Sequence, residues 1–243
     1  MSAMALPPLH AHRLGRAYGP DSSAEALAGA LAANVDGLET DVCLTSDGEL
    51  VLLHDPLLSL GTTIDGWAHE RSSAEIGRAS LLDRGGRPTA ERPMFLEELL
   101  AATPRHLPLQ VEVKAHADRE LARRTAAAHG LRSRLVVFAD YAPEALAAWA
   151  VSHGVAGVSV EHFLLTPELV SVFRLAGLSV NTGTVNDAEI LLRVRDLASP
   201  DAVCTDRPAE LRAEALRLEE ASSTPTILGA EPAPAALIAS AAC

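Results

Sequence analysis

Within the stretch VDGLETDVCLTSDGELVLLHDP, residues 35–56, two acids and a histidine stand among aliphatic residues. Glu39 and Asp41 are two positions apart, the spacing that sends both side chains to one face of a β-strand. Glu112 and Lys114 repeat that spacing in LQVEVK, His54 closes LVLLH, and His12 and Arg13 follow one another in LHAHRLG. Three carboxylates brought together repel one another, and a hard divalent cation, Mg2+ or Ca2+, resolves the repulsion through oxygen-only ligation. His12 and His54 beside such a cation suit a general acid and a general base near neutral pH. Arg13 and Lys114 offer cationic donors to a phosphate. A metal, an acid–base pair and phosphate donors are the components of phosphodiester hydrolysis. Taken singly, a strand-end acid reads as a solvated rim residue and Lys114 as a neutraliser of Glu112. The argument for chemistry lies in the set.

The elements that must bring these residues together are legible as an alternation. Strand-like runs at 9–13, 37–42, 50–54, 107–114, 134–138, 155–161, 178–182 and 201–205 alternate with alanine-rich helical runs at 22–33, 94–102, 118–129, 142–153, 166–176, 187–197 and 208–219. Ser22, Asp118 and Thr166 are expected N-caps, Pro143, Pro167 and Pro208 fit first helical turns, and Gly130, Gly154 and Gly177 fit helix ends. Strands alternating with helices imply parallel pairing through βαβ crossovers, and eight such units point to an α/β fold of the (β/α)8 barrel type. In such a barrel catalytic groups occupy the C-terminal ends of the strands, where His12, His54, Glu39, Asp41, Glu112 and Lys114 all fall. The expected domain spans 1–220. Its residues 56–93, rich in Gly, Ser and Arg, form a loop-rich insertion on the rim after the third strand, and 221–243, biased to Ser, Pro and Ala, form a disordered tail.

The net charge of −12 excludes nucleic acid as the main partner, because phosphate-backbone binding relies on clustered Lys and Arg. A small anionic substrate remains compatible where bound cations reverse the local field. Cys43, Cys204 and Cys243 lie too far apart for a disulfide framework or a zinc spacing. MSAMALPPLHAHRLG lacks the basic start and apolar run of a secretory signal, and no segment approaches the roughly 18 apolar residues of a membrane span. The expected location is cytoplasmic. His10, on the parity of His12 but deeper, is expected in the core, Cys43 as a buried inert thiol, and His69, His106, His116, His129, His153 and His162 at the surface.

In order along the chain, HRLG, GPDSSAEAL, ETD, TSDG, HD, VEVK, TVND and TDRP resemble the motifs of the glycerophosphodiester phosphodiesterase family, over residues 9–212. The resemblance implies a TIM barrel with a small insertion after HD, and one divalent cation held by Glu39, Asp41 and Glu112. It implies His12 and His54 as the acid–base pair, Arg13 and Lys114 as phosphate contacts, and cleavage to glycerol 3-phosphate and an alcohol. Four departures fall on the substrate side. Leu14 separates Arg13 from Gly15, Pro20-Asp21-Ser22 replaces a PEN-type element, Gly183 replaces the aromatic residue before TVN, and LLSLGTT lacks the arginine often found after HD. The expectation is retained phosphodiester chemistry with an altered alcohol pocket. Two alternatives stand beside it. One is a lyase that forms a cyclic phosphate by internal attack; the other is a non-catalytic barrel that binds a phosphorylated ligand. A binder would have no need of both histidines.

Overall fold

A strand that alternates acids with aliphatic residues needs one polar face and one apolar face, and a curled sheet wrapped in helices supplies both. The computed structural model describes residues 5–114, 134–137 and 142–223. Its strands are β1 (Leu9–Ala11), β2 (Gly37–Leu44), β3 (Leu50–Val51), β4 (Leu109–Val113), β5 (Arg134–Val137), β6 (Gly157–Glu161), β7 (Ser179–Gly183) and β8 (Ala202–Thr205). Its helices are α1 (Ala24–Ala32), α2 (Ser73–Ile76), α3 (Leu96–Ala102), α4 (Pro143–Ser152), α5 (Pro167–Leu175), α6 (Ala188–Ala198) and α7 (Pro208–Ser223). All strands but β3 run parallel, in the order β4-β2-β1-β8-β7-β6-β5. The sheet curls until distant strands face each other: Gln110 of β4 donates to Ser159 of β6 at 3.1 Å and accepts from Asn181 of β7 at 3.0 Å.

The expected third strand, 50–54, is corrected by the structure. Only Leu50 and Val51 are strand, and they pair antiparallel with Leu44 and Cys43 of β2. The TSDG turn closes this hairpin, with the Thr45 amide donating to the Glu49 carbonyl at 2.9 Å and Gly48 at φ 90°. A parallel crossover needs about a dozen residues, and the turn between β2 and β3 is far shorter. The helices lie where they are expected, with one shift: Ser23 caps α1, its hydroxyl accepting from the Ala26 amide at 3.0 Å, while Ser22 turns inward to Thr40 at 2.8 Å. Thr166 caps α5, and Pro143, Pro167 and Pro208 each open a helix. Gly154 and Gly177 follow helix ends at φ 67° and 77°. Asp118, Gly130, the 118–129 run, His116, His129 and the 224–243 stretch lie outside the described residues.

The outward face of the sheet is aliphatic and meets the helices in two clusters. Leu9, Val158, Val160, Val180 and Val203 pack with Phe173, Leu191 and Leu211 of α5, α6 and α7, while Leu38 and Val42 pack with Leu27 of α1 and Leu96 and Leu99 of α3. Residues 56–93 fold as short turns around α2, and Leu58, Ala68, Ile76 and Leu81 pack on Cys43, Val51 and Leu53. No helix among the described residues is long and apolar enough to cross a membrane. Phe173, fully buried between α5 and the sheet, is the largest side chain of the first cluster. Phe173→Ala is expected to lower stability by about 3–5 kcal/mol, measured by urea denaturation.

Candidate active site

The chain leaves β1 through a tight turn, His12–Leu14, in which Arg13 and Leu14 hold φ of 47° and 62°. Left-handed backbone at non-glycine residues costs on the order of 1–2 kcal/mol each, and something must hold it there. Leu14 does so by burying completely in the cluster between α1 and the sheet. The turn continues through Gly15 at φ 96°, where a Cβ would lie 2.7 Å from the Tyr18 ring. The extra leucine of HRLG is therefore a core anchor, and the turn it fixes aims the Arg13 amide at Glu39 Oε2, 2.9 Å away.

On the inner face of β2, Glu39 and Asp41 are 4% and 2% exposed. The sheet register sets Asp41 opposite Glu112 on β4. One oxygen from each of Glu39, Asp41 and Glu112 lies within 4.8 Å of the others. Burial, and then the charge of Asp41, pushes the Glu39 carboxyl well above its ordinary range. Burial also raises Asp41, against the opposing pull of Lys114 and His54. Asp41 Oδ2 is buried and makes no hydrogen bond among the described residues, Arg13 Nε standing off at 3.5 Å. An oxygen-only cluster with such an under-satisfied carboxylate oxygen has the donor chemistry of a hard divalent cation site.

The cations around this cluster are held by carboxylates. Arg13 donates to Asp21 at 2.6 Å and lies 3.5 Å from Asp41; burial opposes its charge, but Asp21, Asp41 and Glu39 outweigh burial and raise its pKa. Asp21 also takes Arg16 at 2.7 Å, so the carboxylate standing in the PEN-like position braces two arginines. Lys114 donates to Glu112 at 2.6 Å and stands 3.5 Å from Asp41, which keep it charged despite burial. His54 sits 3.1 Å from Asp55. His12 presents Nε2 to Glu39 at 3.9 Å, while its Nδ1 meets Asp206 Oδ1 at 2.7 Å. Burial opposes the Asp206 charge, but the hydrogen bond and charge of His12 outweigh it and hold the carboxyl below its ordinary range. An ionised Asp206 can only accept, so Nδ1 of His12 carries the proton and Nε2 is left to the cavity.

His12, Arg13, Glu39, Asp41, His54, Glu112 and Lys114 all line one cavity of about 250 Å3 at the C-terminal ends of the strands. A larger hollow of about 820 Å3 adjoins it, sharing Arg13 and His54 and bounded by the turn after β1 and by residues 81–87. Sequence reasoning did not single out Asp206, nor Asn186, which donates to Asp206 Oδ2 at 2.9 Å, nor Arg84, 3.5 Å from the same oxygen. Asp206 and Asn186 lie in TDRP and TVND, just beyond the ends of β8 and β7, so the strand-end rule that found Glu39 would have found them. Cys43 is buried, donates to the Leu53 carbonyl at 3.3 Å, and has its thiol pushed up to about 12 by burial. It is inert. His10 is buried beneath Gly37, where a Cβ would lie 2.4 Å from its ring. His106 and His153 are exposed, and His69 and His162 are half-buried rather than fully at the surface. Gly183 lines the cavity next to Cys204, whose Cβ would stand 2.7 Å from any Cβ added there, so the wall carries no side chain at this point.

Known proteins share this fold. A phosphodiesterase of Oleispira antarctica, solved in complex with the product sn-glycerol-3-phosphate, shares the fold with a TM-score of 0.73 at 23% identity, over 87% of this chain and 97% of that one. A glycerophosphodiester phosphodiesterase of Thermotoga maritima does so with a TM-score of 0.69 at 20% identity, over 87% and 99%. These likenesses show a TIM-barrel-like α/β fold. An uncharacterized protein of Sinorhizobium fredii is 33% identical over 79 residues, 32% of this chain and 21% of that protein. One of Bacillus subtilis is 32% identical over 72 residues, 30% of each chain. The matches thus span less than a third of the length of these curated relatives. The sequence pattern of the Glycerophosphoryl diester phosphodiesterase family matches residues 12–139, more than half of the chain, from the first cavity histidine through the β4 carboxylate. The chain belongs to the Glycerophosphoryl diester phosphodiesterase family.

Proposed function

We propose that the protein uses one divalent cation, Mg2+ or Ca2+, to split a small glycerophosphodiester into glycerol 3-phosphate and an alcohol. The observation that carries this reading is the carboxylate triad Glu39, Asp41 and Glu112, with a buried Asp41 oxygen that makes no hydrogen bond and both cavity histidines beside it. Family membership supports it, as does the glycerol 3-phosphate held by the Oleispira relative of like fold. Glu39, Asp41 and Glu112 would hold the cation, which when bound draws negative charge from the phosphoryl oxygens. Arg13 and Lys114, both kept charged by carboxylates, orient the phosphate. Asp206 fixes the ring of His12 so that Nε2 exchanges a proton inside the cavity. One of His12 and His54 takes a proton from the attacking water and the other protonates the departing alkoxide, so that the phosphorus–oxygen bond to water forms as the bond to the alcohol breaks. The same reading extends to the scaffold, a closed barrel of the (β/α)8 class over 1–220 with 56–93 as its rim insertion. The contacts of Gln110 with Ser159 and Asn181 across the sheet interior support that closure.

Glycerophosphodiester hydrolysis is expected to require Mg2+ or Ca2+ and to stop in EDTA. His12→Ala and His54→Ala are each expected to lower kcat about 10²–10⁴-fold, measured as glycerol 3-phosphate release under saturating cation. Phosphorus NMR of the product separates hydrolysis from cyclic phosphate formation. Asp206→Asn, which keeps the shape but removes the charge that orients His12, is expected to cost about 10–100-fold in the same assay.

The triad also predicts a pH effect. Burial and Asp41 raise the Glu39 pKa above its unfolded value, so folding without the cation takes up a proton. Stability in a chelator then falls as pH rises from the ordinary carboxylate range toward that raised value. Glu39→Gln, whose amide oxygen can still accept from the Arg13 amide, removes this liability. The variant is expected to melt above the wild type in EDTA at about pH 8 and to lose the rise in Tm that the cation gives the wild type. A thermal scan in the two conditions reads both effects, and a variant less stable in EDTA would contradict the electrostatic account.

A further inference from the structure

We infer that Glu161 selects an alcohol carrying a primary ammonium group, an inference that rests on the phosphodiesterase reading above. The basic side chains Arg13, Lys114 and His12 on the β1–β2–β4 side of the cavity are each paired with an acid: Asp21, Glu112 and Asp206. The opposite wall, on β6 to β8, is formed by Ser159, Glu161, Gly183, Thr184 and Cys204. Glu161 ends β6 with its side chain half-buried, and no hydrogen bond or ion pair reaches that carboxylate from the described residues. Among the described residues of that wall it is the charged one. Its register partner on β7 is Gly183, which lines the same cavity without a side chain, the room for a Cβ there being taken by Cys204.

A half-buried carboxylate without a partner loses hydration and gains nothing for it until a cation arrives. A hydroxyl would satisfy one lone pair, whereas an ammonium would satisfy the charge and the hydrogen bonds together. The same carboxylate repels an alcohol that bears a second phosphate or a carboxylate. Quaternary ammonium groups are held by aromatic faces, and neither Phe, Tyr nor Trp lines this cavity among the described residues. A primary ammonium, which donates hydrogen bonds, fits the wall better.

The test compares kcat/KM of wild type and Glu161→Gln on glycerophosphoethanolamine, glycerophosphocholine and glycerophosphoglycerol, with saturating cation and matched melting curves. The wild type is expected to prefer glycerophosphoethanolamine. Glu161→Gln is expected to lose about tenfold on that substrate while changing little on glycerophosphoglycerol. Equal loss on all three would overturn the inference, because Glu161 would then serve the part the substrates share. Unchanged kcat/KM on glycerophosphoethanolamine would overturn it as well. A wild type inactive on all three with cation bound would sink the phosphodiesterase reading and this inference with it, an outcome distinct from loss of selectivity in an active enzyme.

Discussion

Three carboxylates, two buried and one half-buried, each with an oxygen within 4.8 Å of the others, are the constraint to which the rest of the site answers. Like charges in a water-poor interior cost far more than they would in solvent, and the upward shifts of Glu39 and Asp41 register that cost. A protein stabilised only by its core would place aliphatic residues on both faces of a buried parallel sheet. Here the outward face follows that rule, with Leu38, Val42, Val158 and Val180 against the helices, and the inward face breaks it. Its clustered carboxylates sit at the cavity end of β2 and β4, which is where a functional site concentrates its strain.

What surrounds the triad is arranged to hold charge in place rather than to cancel it. The left-handed turn at Arg13 and Leu14 spends backbone energy to point an amide at Glu39, and the burial of Leu14 offsets that cost. Asp21 and Glu112 keep Arg13 and Lys114 charged and oriented. Asp206, braced in turn by Asn186 and approached by Arg84 from the segment after β3, sets the ring of His12. The site is thus assembled from the ends of β1, β2, β4, β7 and β8 and from one loop. That dispersal lets cavity-lining positions such as Asp21 and Gly183 differ while the triad stays.

Much of this was legible in residue order because a strand has a period of two. Glu39 with Asp41, and Glu112 with Lys114, could only share a face, and their position near strand ends placed them at the mouth. The helix stops at Gly154 and Gly177 and the prolines opening α4, α5 and α7 were equally plain. The stretch 50–54 misled because an antiparallel arm and a parallel strand share the same alternation; only the shortness of the turn between β2 and β3 tells them apart. Asp206, just beyond β8, was within reach of the same strand-end rule, but Arg84 was not: its partner lies about 120 positions away in sequence, and no local period records which loops the curl of a sheet brings together.

The measurement closest to the central claim is calorimetric titration of Mg2+ and of Ca2+ into the protein, repeated in two buffers of different ionisation enthalpy. If Glu39, Asp41 and Glu112 form one cation site, at least one of these ions binds with a stoichiometry of one and releases protons as the raised carboxyls ionise. Asp41→Asn should then abolish that binding. Binding that releases no protons, or that survives Asp41→Asn unchanged, would place the cation elsewhere and contradict the account.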